Sequence, residues 1–354
     1  MTGNGTLLIL IIHLIINSAM EQKQNYVAVG IDVAKATLSV CLRSREGKET
    51  ALMIRNTEAD INKELISKLN GFNGKIVLEA TNHYHWLVAL LLAHRGYNVH
   101  AVNPLLAKQY TSGNIRKVKT DKADAAGLAR MAEVADNLPP PFTLSRETLA
   151  MRKKISCIAL LGDQIQAMQS SLKQFQESKA ILGYALTKGE RALQKTLVTL
   201  RRQRKALEEE VVRESTVAPE AVTRLDGIPG VTPFVSSMIL HQFMLRPEHT
   251  AKSWIGFAGL DISSRSSGTW KGRCKLTKRG NNFLRRRLFS AAWGAVMNDA
   301  SFKSYYDALR VQGRSYVETL LIIARKLVRI MFHLMKSGQS YDPAKVYHLG
   351  LAGA

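Results

Sequence analysis

The sequence predicts an α/β domain followed by a mainly helical remainder, and three observations predict it. Short β-rich apolar runs alternate with amphipathic helical runs between about residues 26 and 134, the pattern of an α/β sheet. "LPPPF" at 138–142 then breaks the chain, as proline clusters do between elements. After it, from Ser145 to Glu214, Pro and Gly almost vanish and apolar residues recur at three- and four-residue spacing. That spacing reads as one or two long helices forming an antiparallel or intermolecular coiled coil.

"YVAVGIDVAKATLSVCL" (Tyr26–Leu42) reads as a β-hairpin whose first strand ends at Asp32, with "TLSVCL" alternating apolar and polar. Glu58–Phe72 is an amphipathic helix stopped by Asn70-Gly71. "KIVLEAT" is a short buried strand ending at Glu79, "HYHWLVALLLAHRG" a helix closed by Gly96, and "YNVHAVNP" a strand ended by Pro104. "KTDKADA" leads into the helix "AAGLARMAEVADN". In the long helical stretch, Gly183 and Gly189 mark the bend. Further on, Gly227-Ile-Pro-Gly-Val231 is a tight turn before an apolar helix. It is either an ordinary helix–helix connection or a helix-hairpin-helix turn whose backbone N–H groups hold a phosphate. Thr250–Asp261 is a short helix, a Ser/Gly loop and a basic segment follow, and Tyr316–Gly338 is a long amphipathic helix. The divisions that follow are an extension at 1–23, domains at 24–144 and 216–354, and a helical middle at 145–215.

With 354 residues the chain affords a real core, and 46% hydrophobic content excludes a disordered polypeptide. The formal net charge of +22 is too lopsided for solubility alone and calls for a polyanionic partner. Cys41, Cys157 and Cys274 are scattered and odd in number, which argues against a disulfide framework or a zinc site and fits a reducing cytoplasm. The apolar stretch Leu7–Ile16 is ten residues long, too short to span a bilayer as a helix. It lacks the preceding Lys or Arg of a signal peptide. The preferred reading places the translational start at Met20; a membrane anchor is the alternative.

The chemistry gathers at acidic positions. Asp32 and Glu79 end strands, and Asp121 and Asp124 start a helix amid Arg116, Lys117, Lys119 and Lys122. Strand ends of an open α/β sheet meet at one edge, and residues three apart on a helix share a face. Bare carboxylates brought together there would raise one another's pKa. A pair of divalent cations about 4 Å apart removes that repulsion and serves phosphodiester chemistry. Taken alone, Asp121 and Asp124 also fit a helix cap, one at the N-cap and one at N3. The order strand-Asp, strand-Glu, helix-Asp is that of a ribonuclease-H-like metal site. Downstream, residues 263–287 hold nine basic residues and no Asp or Glu: Arg265, Lys271, Arg273, Lys275, Lys278, Arg279, Arg285, Arg286 and Arg287. Such a segment reads as a phosphate-binding surface. Trp270 within it either stacks on a base or sugar or packs in a core.

"GIDVAK", "VLEAT", "KTDKADA", "LDGIPGV", "FAGL", "SSGTW" and "LTKRGNNFLRR" together resemble the DEDD transposases of insertion-sequence family 110, over about Val27 to Tyr341. The resemblance implies a RuvC-like N-terminal domain, a helical middle and a C-terminal transposase domain. It implies that Asp32, Glu79, Asp121 and Asp124 bind Mg²⁺, two ions per site, and that Ser267 is the nucleophile, with Ser266 the runner-up. Without the resemblance, a serine before glycine reads as a turn residue. No histidine partner stands out; His241 and His249 read as structural. The implied partners are donor and target DNA, a structured non-coding bridge RNA as guide, and further copies of the chain as a dimer or dimer of dimers, in the cytoplasm at the nucleoid. The family usually has Gly after "EAT", where this chain has Asn82; Asn takes positive φ more readily than most residues.

Overall fold

The computed structural model describes residues 26–111, 120–185, 187–215, 219–245, 249–263, 266–267, 270–271 and 275–348. The chain divides into two compact units between Arg146 and Glu147.

The first unit is built on one five-stranded sheet. Strands β1 (Tyr26–Val33), β2 (Thr37–Ser44), β3 (Glu49–Arg55), β4 (Lys75–Glu79) and β5 (Asn98–Val102) lie in the order β3-β2-β1-β4-β5. The first three form an antiparallel meander, and β4 and β5 add in parallel to β1. β3 was not expected. Its signal is "EGK" at 46–48, with Gly47 at φ +80° closing the β2–β3 hairpin, followed by a run that alternates exposed with more buried positions.

Two sets of helices cover the sheet. A helical run, α1, passes through Glu58–Asp60, Ile61–Leu65 and Ile66–Leu69, and Gly71 takes φ +76° just beyond its end. Its buried Ile61, Leu65 and Leu69 recur every four residues and pack with α2 (Trp86–His94) on Val29, Ile31, Val40, Leu42, Ile76 and Leu78. After β5, Pro104 opens α3 (Pro104–Thr111), a first-turn position where its missing N–H has no cost. The opposite sheet face takes α4 (Asp121–Val134), through Leu128, Met131 and Ala132 on Ala28, Val77 and Val102, and through Ala125 and Ala129 on Cys41. Covered on both faces, β1, β2 and β4 read as near-continuous apolar runs.

The second unit is helical. α5 (Arg146–Leu182) and α6 (Lys188–Glu214) pair antiparallel, with Ile165, Met168 and Leu172 against Leu193, Leu197 and Leu200. Gly183 at φ +67° ends α5. A capping box between Thr187 and Glu190 starts α6, so Gly189 lies in its first turn rather than in the bend. At the other end of this hairpin Ile155, Ile158 and Val211 enter one core with the C-terminal helices. Those are α7 (Pro219–Asp226), α8 (Pro233–Leu245), α9 (Ala251–Phe257), α10 (Asn282–Asn298), α11 (Ala300–Val311), α12 (Tyr316–Ser337) and α13 (Pro343–His348). α12 is the amphipathic helix expected from the sequence, capped by Ser315 and ended by Gly338 at φ +70°. The Gly227–Val231 turn sets Gly230, at φ +80°, against the backbone of α10: a Cβ there would lie 2.2 Å from the Ala295 nitrogen. The glycine thus serves a backbone-on-backbone contact. No helix among the described residues is long and apolar enough to cross a membrane.

Candidate active site: four carboxylates and a serine hairpin

The pleat of β1 sends Val29, Ile31 and Val33 to the face covered by α1 and α2. Ala28, Gly30 and Asp32 therefore face α4. In β4 the same alternation gives Ile76 and Leu78 to one side and Val77 and Glu79 to the other. β1 and β4 are parallel with Ile31 opposite Leu78, so Asp32 and Glu79 stand side by side one position further on. α4 begins above them. Its N-cap is Thr120, whose hydroxyl accepts from the Ala123 N–H at 3.2 Å. Asp121 is thus the first helical residue, not the cap. Neither aspartate is needed to cap the helix, and both remain free to face the sheet edge.

Gly30 lets α4 come this close. A Cβ at residue 30 would lie 2.2 Å from both the Ala125 carbonyl oxygen and the Ala129 nitrogen. The helix rests on bare strand backbone, and small residues on both sides (Ala28, Ala125, Ala129) permit it. Sequence reasoning passed over Gly30; the cluster of small residues in "DAAGLARMA" was the available signal.

The electrostatics report the convergence. The Asp32 carboxyl is pushed up to about 6, first by burial and then by the negative charges of Glu79, Asp121 and Asp124, with a backbone hydrogen bond at Val33 opposing. Glu79 accepts a hydrogen bond from the Thr81 hydroxyl at 3.0 Å, which orients one of its oxygens. Among the described residues no three His, Cys, Asp or Glu side chains are drawn close enough to enclose a metal ion as they stand. The donor chemistry nevertheless suits a hard divalent cation, which favours carboxylate oxygen. A cation would offset the repulsion acting on Asp32. Asn82, three residues past Glu79, does take the left-handed conformation, at φ +50°. Its side-chain oxygen lies 3.0 Å from the His83 ring.

Ser267 belongs to the second unit. It sits in a two-residue strand, β7 (Ser266–Ser267), paired antiparallel with β8 (Trp270–Lys271). Outside that pair, β6 (Ile262–Ser263) joins β9 (Lys275–Leu276). The neck of this excursion is tightly made. Gly259 (φ +66°) and Gly280 press backbone to backbone, since a Cβ on Gly280 would meet the Phe257 oxygen at 2.1 Å and the Gly259 nitrogen at 2.3 Å. Asn281 N–H donates to the Phe257 carbonyl at 2.7 Å, Thr277 N–H to the Asp261 carbonyl at 3.0 Å, and the Thr277 hydroxyl to the Asp261 carboxylate. "FAGL" and "KRGNN" are therefore the two sides of one clasp.

The basic residues divide. Arg116, Lys117, Lys119, Arg265 and Arg273 lie outside the described residues. Lys122, Lys278 and Arg279 are exposed. Arg285, Arg286 and Arg287 have partners within the unit. Arg285 donates to the Ala258 carbonyl at 3.2 Å and to Asn282 at 2.9 Å. Arg286 donates to Gln166 at 3.0 Å and pairs with Asp163 on α5. Arg287 pairs with Glu208 on α6, its guanidinium 5.1 Å from the rings of both Phe234 and Phe283. Burial pulls its pKa down, and Glu208 opposes. The acids missing from 263–287 are thus supplied from far along the chain. His241 is buried, and that burial, with Arg152 nearby, lowers its pKa to about 4, so it stays neutral. Trp254 is a core residue.

Two models of one family match the chain: the DEDD transposase model of the IS110 family over residues 29–175, and the transposase model of the IS116/IS110/IS902 family over residues 222–307. The chain belongs to the IS110 family of transposases. An uncharacterised 43.6 kDa protein of insertion element IS110 from Streptomyces coelicolor is 27% identical over 153 residues, 43% of this chain and 37% of that protein. An uncharacterised 42 kDa protein of insertion element IS900 from Mycobacterium paratuberculosis is 29% identical over 89 residues, 25% of this chain and 22% of that protein. The matches therefore span little more than a third of the first relative and about a fifth of the second. A pilin gene-inverting protein of Moraxella lacunata is 21% identical over 328 residues, covering 89% of this chain and 97% of that protein. The first family model begins inside β1 and takes in Asp32, Glu79, Asp121 and Asp124; the second takes in the serine hairpin and its clasp. A DEDD transposase family implies divalent-metal use in general terms.

Proposed function

We propose that this protein is the DNA transposase of a bacterial insertion sequence, cutting and rejoining DNA through a serine-linked intermediate. The observation that carries the reading is the placement of half-buried Asp32 beside Glu79 at the strand ends, with Asp121 and Asp124 opening α4 nearby. A strand order of 3-2-1-4-5 with acids at the ends of β1 and β4 and at the start of α4 agrees with a RuvC-like, ribonuclease-H-type site.

In this reading Asp32, Glu79, Asp121 and Asp124 hold two Mg²⁺, which when bound would stabilise the charge developing on phosphate oxygens. Ser267 Oγ attacks the phosphorus of a backbone phosphodiester. The Oγ–P bond forms as the bond from phosphorus to one deoxyribose oxygen breaks. The serine proton leaves, and the departing sugar oxygen takes up a proton. Attack by the exchanged sugar hydroxyl reverses the step and frees the serine, so no open double-strand break is left. An unassisted serine is a poor nucleophile; in this reading it is activated through the metal cluster and neighbouring cations. The net charge of +22 supports polyanionic partners, which in this reading are donor DNA, target DNA and a structured bridge RNA. The α5–α6 hairpin is proposed as the coiled-coil contact between protomers.

A second reading is a junction-resolving nuclease in which water attacks. It is favoured by the carboxylates and the serine belonging to different compact units. Trapping separates the two. The full chain is incubated with Mg²⁺, element-derived RNA and labelled DNA, and wild type, Ser267→Ala and Asp121→Ala are resolved on denaturing gels. A protein–DNA adduct that disappears in Ser267→Ala establishes the serine transposase. Cleavage without adduct, persisting in Ser267→Ala, leaves the nuclease.

A further inference from the structure

α12 carries Arg325 and Arg329 one turn apart, on one face of the helix. The two differ in surroundings. Arg329 is exposed, whereas the Nε of Arg325 is buried with no hydrogen-bond partner among the described residues. Burial holds the Arg325 pKa below its usual value, Arg329 pushes it the same way, and Asp261 alone opposes. Asp261 already accepts the Thr277 hydroxyl across the clasp. The carboxylate that acts on Arg325 is therefore already engaged. Arg287 on α10 shows the ordinary solution in the same unit, a half-buried guanidinium in an ion pair with Glu208, which Arg204 also approaches. Arg325 lacks that. A buried cation without a matched anion is costly, and such a cost is commonly retained where a ligand supplies the missing charge.

The place is specific. Asp261 is the residue from which the excursion 262–276 departs, and Thr277 the residue to which it returns. α9, which leads into this neck, packs on α12, and Asp261 at the neck acts electrostatically on Arg325. His333 lies one further turn along the same side of α12 and is exposed, so the face opens from a buried end at the clasp toward solvent. A guanidinium pair of this kind matches a phosphodiester, whose two free oxygens take planar N–H donors in pairs.

We propose that Arg325 and Arg329 form a phosphate site at the base of the serine hairpin, which grips one phosphodiester of a nucleic-acid backbone. This deepens the transposase reading by naming where the strand is held beside Ser267. Phosphate binding itself requires neither the serine nor the carboxylates. Both arginines are positioning residues: they fix the strand and leave the bond-making to others.

The test is duplex DNA binding by the full chain in EDTA, where no chemistry occurs, titrated with salt. Each phosphate that is no longer neutralised lowers the slope of log affinity against log salt by about 0.9. Arg325→Gln and Arg329→Gln are each expected to lower it by about that amount, the double variant by about twice as much, and Arg325→Lys to retain most of the affinity. Arg325→Gln also removes an uncompensated buried charge, so its melting temperature should equal or exceed that of wild type. Lys173→Gln, on an exposed turn of α5, should leave the slope unchanged. The proposal is overturned if Arg325→Gln melts lower with an unchanged slope, the signature of a structural arginine. It is equally overturned if Lys173→Gln lowers the slope as much, the signature of diffuse charge. Should Arg325→Gln fail to fold, exposed Arg329 decides the slope by itself. If Ser267→Ala still cleaves DNA, the serine reading fails while this measurement stands.

Discussion

Replacing Asp32 with asparagine should stabilise the metal-free protein. The Asp32 carboxyl rises from its ordinary value of 3.8 to about 6. At about 1.4 kcal/mol per pH unit, keeping it ionised in the fold costs about 3 kcal/mol at most. The group is only partly buried, and solvent screening brings the usable figure to about 1–2 kcal/mol. The sign follows from linkage. The folded state holds the proton more tightly than the unfolded state, so stability is greatest below pH 3.8, declines as pH rises toward 6, and levels off above it. The asparagine side chain has the same shape and no charge, and it removes the repulsion from Glu79, Asp121 and Asp124. In EDTA at pH 7.5 the melting transition of the N-terminal unit should rise by roughly 4–8 °C, taking about 4 °C per kcal/mol for a unit of this size. At pH 4 the two proteins should melt together. Added Mg²⁺ should raise wild type at pH 7.5 and move Asp32→Asn far less, because a ligand stabilises only the fold that binds it. Calorimetry of the full chain at both pH values, with and without Mg²⁺, reads all of this. An unchanged or lower melting point for Asp32→Asn at pH 7.5, or a gap of equal size at pH 4, would refute the convergence of the four carboxylates.

Gly30→Ala should cost about 3 kcal/mol or more and unfold the N-terminal unit at lower urea, since its Cβ would fall 2.2 Å from α4 backbone that cannot yield without lifting Asp121 and Asp124 off the sheet edge. Arg287→Ala should destabilise the helical unit by about 1–2 kcal/mol in the same assay, because part-buried Glu208 would keep only its neighbour Arg204 and the guanidinium contacts with Phe234 and Phe283 would be lost. Asn82→Gly should be neutral or stabilise by up to about 1 kcal/mol, measured by thermal unfolding, as glycine relieves the φ of +50° while adding freedom to the unfolded chain.

Much of the site was legible because it is written in periodicities local to the chain. The two-residue period of β1 and β4 and the ends of those strands put Asp32 and Glu79 at one edge, and "KTDKADA" before an apolar helix put Asp121 and Asp124 at a helix start. β3 escaped because an edge strand is half solvated: Ala51 and Met53 on its exposed face join Leu52 and Ile54 on the other, so the string shows a short apolar run and not an alternation. Thr120 as the cap escaped because several residue types can cap a helix, and only backbone dihedrals choose among them.

By itself, then, the sequence determined the alternation of elements, the long helices, the excess of positive charge and the family. Only the tertiary structure decided what each charge meets. Residues 263–287 contain no acid, yet Arg286 and Arg287 are paired with Asp163 and Glu208, while Arg325, on a helix that reads as plainly amphipathic, has no such partner for its buried Nε among the described residues. Likewise Gly30 and Gly280 look like any other glycines in the string and prove to be points where backbone touches backbone. The reason is one of range. Periodicity is set by neighbours a few residues away, whereas desolvation, ion pairing and close approach depend on atoms that only folding brings together.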